Sequence, residues 1–246
     1  MHRRTSDQKK SLTLTKTSRA ERQYQSQLTK VARFVGDIIN GFPPDEPSVV
    51  PAMTNTLERY SELLHDWAIS TASRMIAEVN QQDKKAWVAR SEDMSKTLRD
   101  EILNAPTGQA MRGLLAEQVV LIKSIPLKAA ERVHELTLQG IEDATRASEI
   151  SKKIMASGGV AESRANLIAR TEVSRTASTL LEARARSVGS KGYIWRTSED
   201  TDVRDSHKKM NGEFVSWDEP PTLDNLTGHA GCLPNCRCYP DPVIPE

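Results

Sequence analysis

Leu57, Tyr60, Leu64, Trp67, Thr71, Met75 and Val79 recur at steps of three and four. Such spacing places them on one face of a helix, and only a second apolar face can cover that stripe. Trp87, Met94, Leu98 and Ile102 form a sparser stripe, stopped by the Asn-Ala-Pro at 104–106. Met111, Leu114, Leu115, Val119 and Ile122 make a third. Pro126, just after Ser124, predicts the first position of a further helix running to Leu138. Another is expected from about 142 to the Ser-Gly-Gly at 157–159. These stripes read as core rather than as a cofactor site, and His65 and His134 as packed or surface histidines. A last helix carries Ala165, Ala169, Val173, Ala177 and Ala185 on its apolar side, with Arg170, Arg175, Arg184 and Arg186 elsewhere. Gly189 and Gly192 end it.

After Gly192 the period changes. "YIWRTS" and "GEFVSW" have the β-branched and aromatic character of strands. The rest, through "EPPTLDN" to the cysteines, reads as an irregular tail with little apolar surface to hold it. The fold class is therefore α+β. A mainly helical N-terminal and central part is joined to a small C-terminal domain of a long helix, a short antiparallel strand pair and a His/Cys tail. Three segments are expected: a basic arm with a Pro-rich linker at 1–52, a helical region at 53–159, and the C-terminal domain at 160–246.

Charge is unevenly spread. Residues 1–36 hold nine Lys and Arg against two acids, with Arg3, Arg4, Lys9 and Lys10 leading; residues 196–246 hold five bases against ten acids. A basic arm can neutralise DNA phosphates or dock on an acidic protein face, and its plainer reading is a solvated tail. The N-terminus has no apolar stretch of the secretory kind, and no run approaches the roughly 18 apolar residues of a membrane span.

All three cysteines stand within "HAGCLPNCRCYP", residues 229–240. An odd, clustered set argues against a secreted disulfide scaffold and for a reducing cytosol, where thiols more often serve as ligands. Thiolates and imidazoles are the usual donors for tetrahedral zinc. Cys236 and Cys238 with His207, and with Cys232 or His229 as a further donor, could hold a structural Zn²⁺. The alternative packs the cysteines without metal, around Arg237. Glu199, Asp200, Asp202 and Asp205, with His207, also admit a divalent metal that activates water, the reading of a metal-dependent nuclease or DNA-processing enzyme using Asp200, His207 and the cysteines. Against it, Asp200 could cap the turn after the strand and pair with Arg204.

"LIARTE", then "GYIWRTSEDTDVRDSHKKMNGEF", then "NCRC" together resemble the C-terminal domain of the Mu F-like minor head proteins of tailed bacteriophages, the phage head morphogenesis domain. Arg170, Thr171 and Glu172 match its helix motif. Trp195, Asp200, Arg204, His207 and Gly212 match its central segment, and Asn235, Cys236, Arg237 and Cys238 its end. The resemblance implies a non-enzymatic virion component acting in procapsid assembly. Its expected partners are the portal protein, scaffold or major capsid protein and possibly DNA, with no membrane. It would be made in the host cytoplasm and lie in the capsid interior or portal region.

Overall fold

The computed structural model describes residues 11–43, 46–90, 96–143 and 145–245. Arg3, Arg4, Lys9 and Lys10 lie outside the described residues. The elements are helices α1 (Ser11–Asn40), α2 (Val50–Leu63), α3 (His65–Arg90), α4 (Lys96–Leu103), α5 (Gly108–Glu142), α6 (Ala147–Met155) and α7 (Ser157–Ser187), then strand β1 (Gly192–Arg196), the short helix α8 (Asp205–Lys209), and strands β2 (Phe214–Ser216), β3 (Thr222–Leu223), β4 (Leu226–Thr227) and β5 (Tyr239–Pro242). The fold is mainly helical α+β. Among the described residues no helix is long and apolar enough to cross a membrane.

One compact unit consists of residues 23–73 and 115–169. Tyr24, Leu28, Val31, Val35 and Ile39 of α1 are buried in it, together with Leu57 of α2, Ile122 and Ile125 of α5, and Ala165 of α7. The stretch of α1 read from its charge as a solvated arm thus carries an apolar stripe of its own. Lys30 and Arg33 lie on its exposed side and masked that stripe. Tyr24 Oη donates to Gln118 Oε1 at 2.8 Å, which satisfies two buried polar groups.

Two helix boundaries differ from the sequence expectation. Pro126 does not start a helix but lies inside α5. Proline costs that helix one backbone hydrogen bond, while Ile122, Ile125, Ala129 and Val133 on either side are buried and hold it continuous. The helix expected to stop at the Ser-Gly-Gly does so, α6 ending at Met155, but those glycines lie in the first turn of α7, which begins at Ser157. A Cβ on Gly158 would stand 3.1 Å from the Cα of Gly36, so glycine here permits a close backbone approach of α1 and α7.

The other unit comprises residues up to 22, 74–114 and 170–246. Its sheet has the order β2-β1-β5, all antiparallel. Tyr193 pairs with Val215 on one side and with Pro242 on the other. The expected strand pair is therefore three strands, because the tail returns as β5. Pro240 and Pro242 are tolerated there since β5 is an edge. A small hairpin of β3 and β4 turns through Asp224 and Asn225, both at positive φ (51° and 62°), the backbone a two-residue hairpin requires. Trp87, Ile102, Leu181, Tyr193, Trp195 and Trp217 make the core under this sheet.

Candidate metal centre and its clamp

The clamp begins on α7. Thr171 Oγ1 accepts the backbone N–H of Asn235 at 3.1 Å, joining the helix to the terminal segment. Two turns further, Ser178 Oγ donates to Ala230 O at 2.8 Å. Glu172, buried, lies 3.6 Å from Arg175. Thus Thr171, between the two charged residues of its motif, makes the bond to the tail, and Arg170 lines a cleft instead.

Strand β1 leads into the loop that carries the acids. Asp200 Oδ1 accepts the N–H of Asp202 at 3.1 Å, which caps the turn as the sequence suggests. Its guanidinium partner is not Arg204 but Arg237, whose Nη2 donates to Asp200 Oδ1 at 2.8 Å and to Asp202 Oδ2 at 3.0 Å. Arg204 reaches elsewhere, donating to Pro234 O at 2.8 Å. Two arginines compete for one acidic turn, and the carbonyl of Pro234 takes one of them. Gly212 closes the segment at φ 93°, with its N–H on Trp195 O at 2.8 Å.

Helix α8 presents His207 inward, 2% exposed, with its ring edge-to-face against Trp195. Its Nδ1 lies 3.5 Å from Cys236 Sγ and 3.5 Å from Cys238 Sγ. All three residues are buried, and their donor atoms lie within 4.8 Å of one another. Tetrahedral zinc with bonds of about 2.3 Å to sulfur and about 2.0–2.1 Å to nitrogen would hold S and N roughly 3.5–3.6 Å apart. The observed spacing therefore fits a metal ion. So does the state of the sulfurs. The Cys236 thiol is pulled down to about 5, first by a hydrogen bond from the Cys238 thiol and, against the cost of burial, by the N–H groups of Gly231 and Cys238. Cys238 is pushed up by that same bond and by burial. One ready thiolate thus lies beside a second sulfur whose proton a metal would displace.

His229 and Cys232 stand outside this group. His229 Nδ1 is 3.2 Å from Tyr193 Oη, and Tyr193 Oη accepts the N–H of Ala230 at 3.1 Å. Burial pushes the Cys232 thiol up to about 12, so it remains a neutral thiol. The cleft over the centre has a volume of about 230 Å³ and is lined by Arg170, Ser198, Asp200, Asp202 and Arg204 besides the His/Cys group.

Sequence reasoning missed a buried ion pair in the same unit. Arg184, placed by its helix position away from the core, is fully buried and donates to Asp83 and, at 2.6 Å, to Asn80 Oδ1. Nothing near Asp83, in the run Gln-Gln-Asp-Lys-Lys, distinguishes it from a solvated helix face.

Residues 131–240 match the family model described as phage Mu protein F like protein. The match begins in the second half of α5. Over 153 residues the chain is 33% identical to an uncharacterized protein of Haemophilus influenzae (strain Rd). That alignment takes in 62% of this chain and 33% of the relative, so the chain spans about a third of that protein's length. No solved structure matches.

Proposed function

We propose, from the match of residues 131–240 to the Mu F-like family, that the chain is a minor head protein of a tailed bacteriophage or prophage, acting in procapsid assembly beside the portal. The observation that carries this reading is how the motif residues are used. Thr171 holds Asn235, Arg204 holds Pro234, Arg237 holds Asp200 and Asp202, and His207 meets the two cysteines. These residues are spent on one another. They fasten a tail to a helix and a strand, as a domain made for assembly contacts requires. Asp200 Oδ1 accepts from Arg237 and from the Asp202 N–H, the use a turn-fixing carboxylate makes of its oxygen.

In this reading the centre binds a structural zinc through His207, Cys236 and Cys238. The metal supplies cross-linking energy to a tail poor in apolar surface. The partners are the portal protein, scaffold or major capsid protein, and the protein resides in the virion after assembly in the host cytoplasm. The basic residues Arg3, Arg4, Lys9 and Lys10 give it a contact with DNA or an acidic face of the portal. Mass spectrometry of particles purified after prophage induction tests the function. The protein is expected in those particles, and its deletion should lower the yield of filled heads. Absence from particles together with normal yields would overturn the reading. Elemental analysis of protein purified without chelator tests the zinc, with about one ion per chain expected and loss of it in Cys236→Ser.

A further inference from the structure

The three donors leave a tetrahedral ion one donor short. Among the described residues, His207, Cys236 and Cys238 are the group that could hold a metal. The neighbouring candidates are committed elsewhere. His229 faces Tyr193 Oη, and neither its ring nitrogens nor Cys232 Sγ joins the set of donor atoms that lie within 4.8 Å of one another. The fourth position faces a cleft rather than the core, because the same three residues line the 230 Å³ space. At about 30 Å³ per water that space holds roughly eight waters, enough for the tip of a side chain.

The lining decides the chemistry. Three guanidinium groups and two carboxylates surround the cleft. Arg237 is matched by Asp200 and Asp202, and Arg204 by the carbonyl of Pro234. Arg170, half-buried, has no ion pair among the described residues. Two thiolates cancel the charge of a divalent ion, so the cleft has one positive charge left to match. Ser198 Oγ, buried and without a hydrogen-bond partner among the described residues, lines the same space. A singly charged group with two acceptor oxygens answers all three demands: one oxygen for the metal, the other for the Arg170 fork and the Ser198 hydroxyl.

We infer that this cleft receives an aspartate or glutamate side chain from a partner protein, whose carboxylate completes the metal centre against Arg170. The inference rests on the zinc reading above. A carboxylate is favoured over a DNA phosphodiester for two reasons. Carboxylate oxygen is an ordinary zinc donor beside Cys and His. In addition, residues 196–246 carry ten acids against five bases, a field that repels a polyanion and suits an acidic residue set in an otherwise basic partner segment.

The full chain loaded with cobalt(II) in place of zinc tests this. The thiolate-to-cobalt charge-transfer band reports the cysteines, and the visible d–d bands report the fourth donor. Acetate is the probe, with inorganic phosphate and a DNA duplex titrated separately. The expected result is a charge-transfer band that Cys236→Ser loses, with d–d bands that shift saturably with acetate and stay still with the duplex. Arg170→Ala and Ser198→Ala should each keep the charge-transfer band, and Arg170→Ala should weaken acetate binding by about tenfold. No charge-transfer band in the wild-type chain would overturn the metal reading and the inference with it. A normal band with d–d bands indifferent to acetate would overturn the inference alone. So would d–d bands altered by Asp200→Asn before acetate is added, which makes Asp200 the fourth donor, or bands moved by the duplex and not by acetate.

Discussion

Arg184→Met should unfold the C-terminal unit far more easily, although the residue lies outside the His/Cys centre. The Arg184 side chain is 0% exposed and that of Asp83 6%. Methionine fills much of the space of the arginine stem, so the cavity contribution is small. The loss is electrostatic. Asp83 keeps its buried charge and loses its guanidinium, and breaking a buried pair from one side costs about 3–5 kcal/mol. Arg184 Nε has no acceptor among the described residues, a defect of the native pair that removal relieves by about 1 kcal/mol. The expected net loss is about 3 kcal/mol. With a urea dependence of about 2 kcal/mol per molar, the midpoint should fall by about 1.5 M. Tryptophan fluorescence is the assay, because Trp87, Trp195 and Trp217 are all buried in this unit's core. The double variant Arg184→Met with Asp83→Leu removes both charges and should recover most of the loss. A single variant as stable as wild type, or a double variant as weak as the single one, would refute the reasoning.

Gly231→Ala should cost roughly 2–5 kcal/mol, because the residue sits at φ 80° and a Cβ would stand 2.4 Å from Ser178 Oγ and 3.0 Å from Cys238 O; an unchanged melting midpoint would remove the close-approach argument. Thr171→Val should cost about 1 kcal/mol and speed hydrogen exchange at the Asn235 amide, while Thr171→Ser preserves both, since only the hydroxyl accepts that N–H. Burial, the largest cause, holds His229 below the ordinary imidazole range. Its stabilising effect is therefore fully present above about pH 6.5 and is lost as pH falls from there through the lowered folded-state value. Thermal melts from pH 8 to pH 5 (working conditions of about that span) should show this slope, and His229→Gln should flatten it.

The readable parts of this protein were the local ones. Apolar residues at steps of three and four mark helices whatever they pack against, and the shift to aromatic and β-branched residues after Gly192 marks β1 and β2. The donor types at 207, 236 and 238 name a possible centre in the same way, because thiols and imidazoles carry their ligand chemistry with them. What needed the tertiary structure was the choice among partners. Asp83 and Arg184 are 101 positions apart, and each looks like surface charge until both lose water together. Arg237 rather than Arg204 holds Asp200, because the carbonyl of Pro234 settles that competition in space. Strand β5 carries two prolines and no strand-like pattern, and is a strand only because β1 offers it an edge. Pro126 stays helical because its neighbours are buried on both sides. Periodicity and donor chemistry are properties of a segment, so composition and spacing carry them. Pairing and desolvation are properties of two segments at once, so they were decided only when the fold brought those segments together.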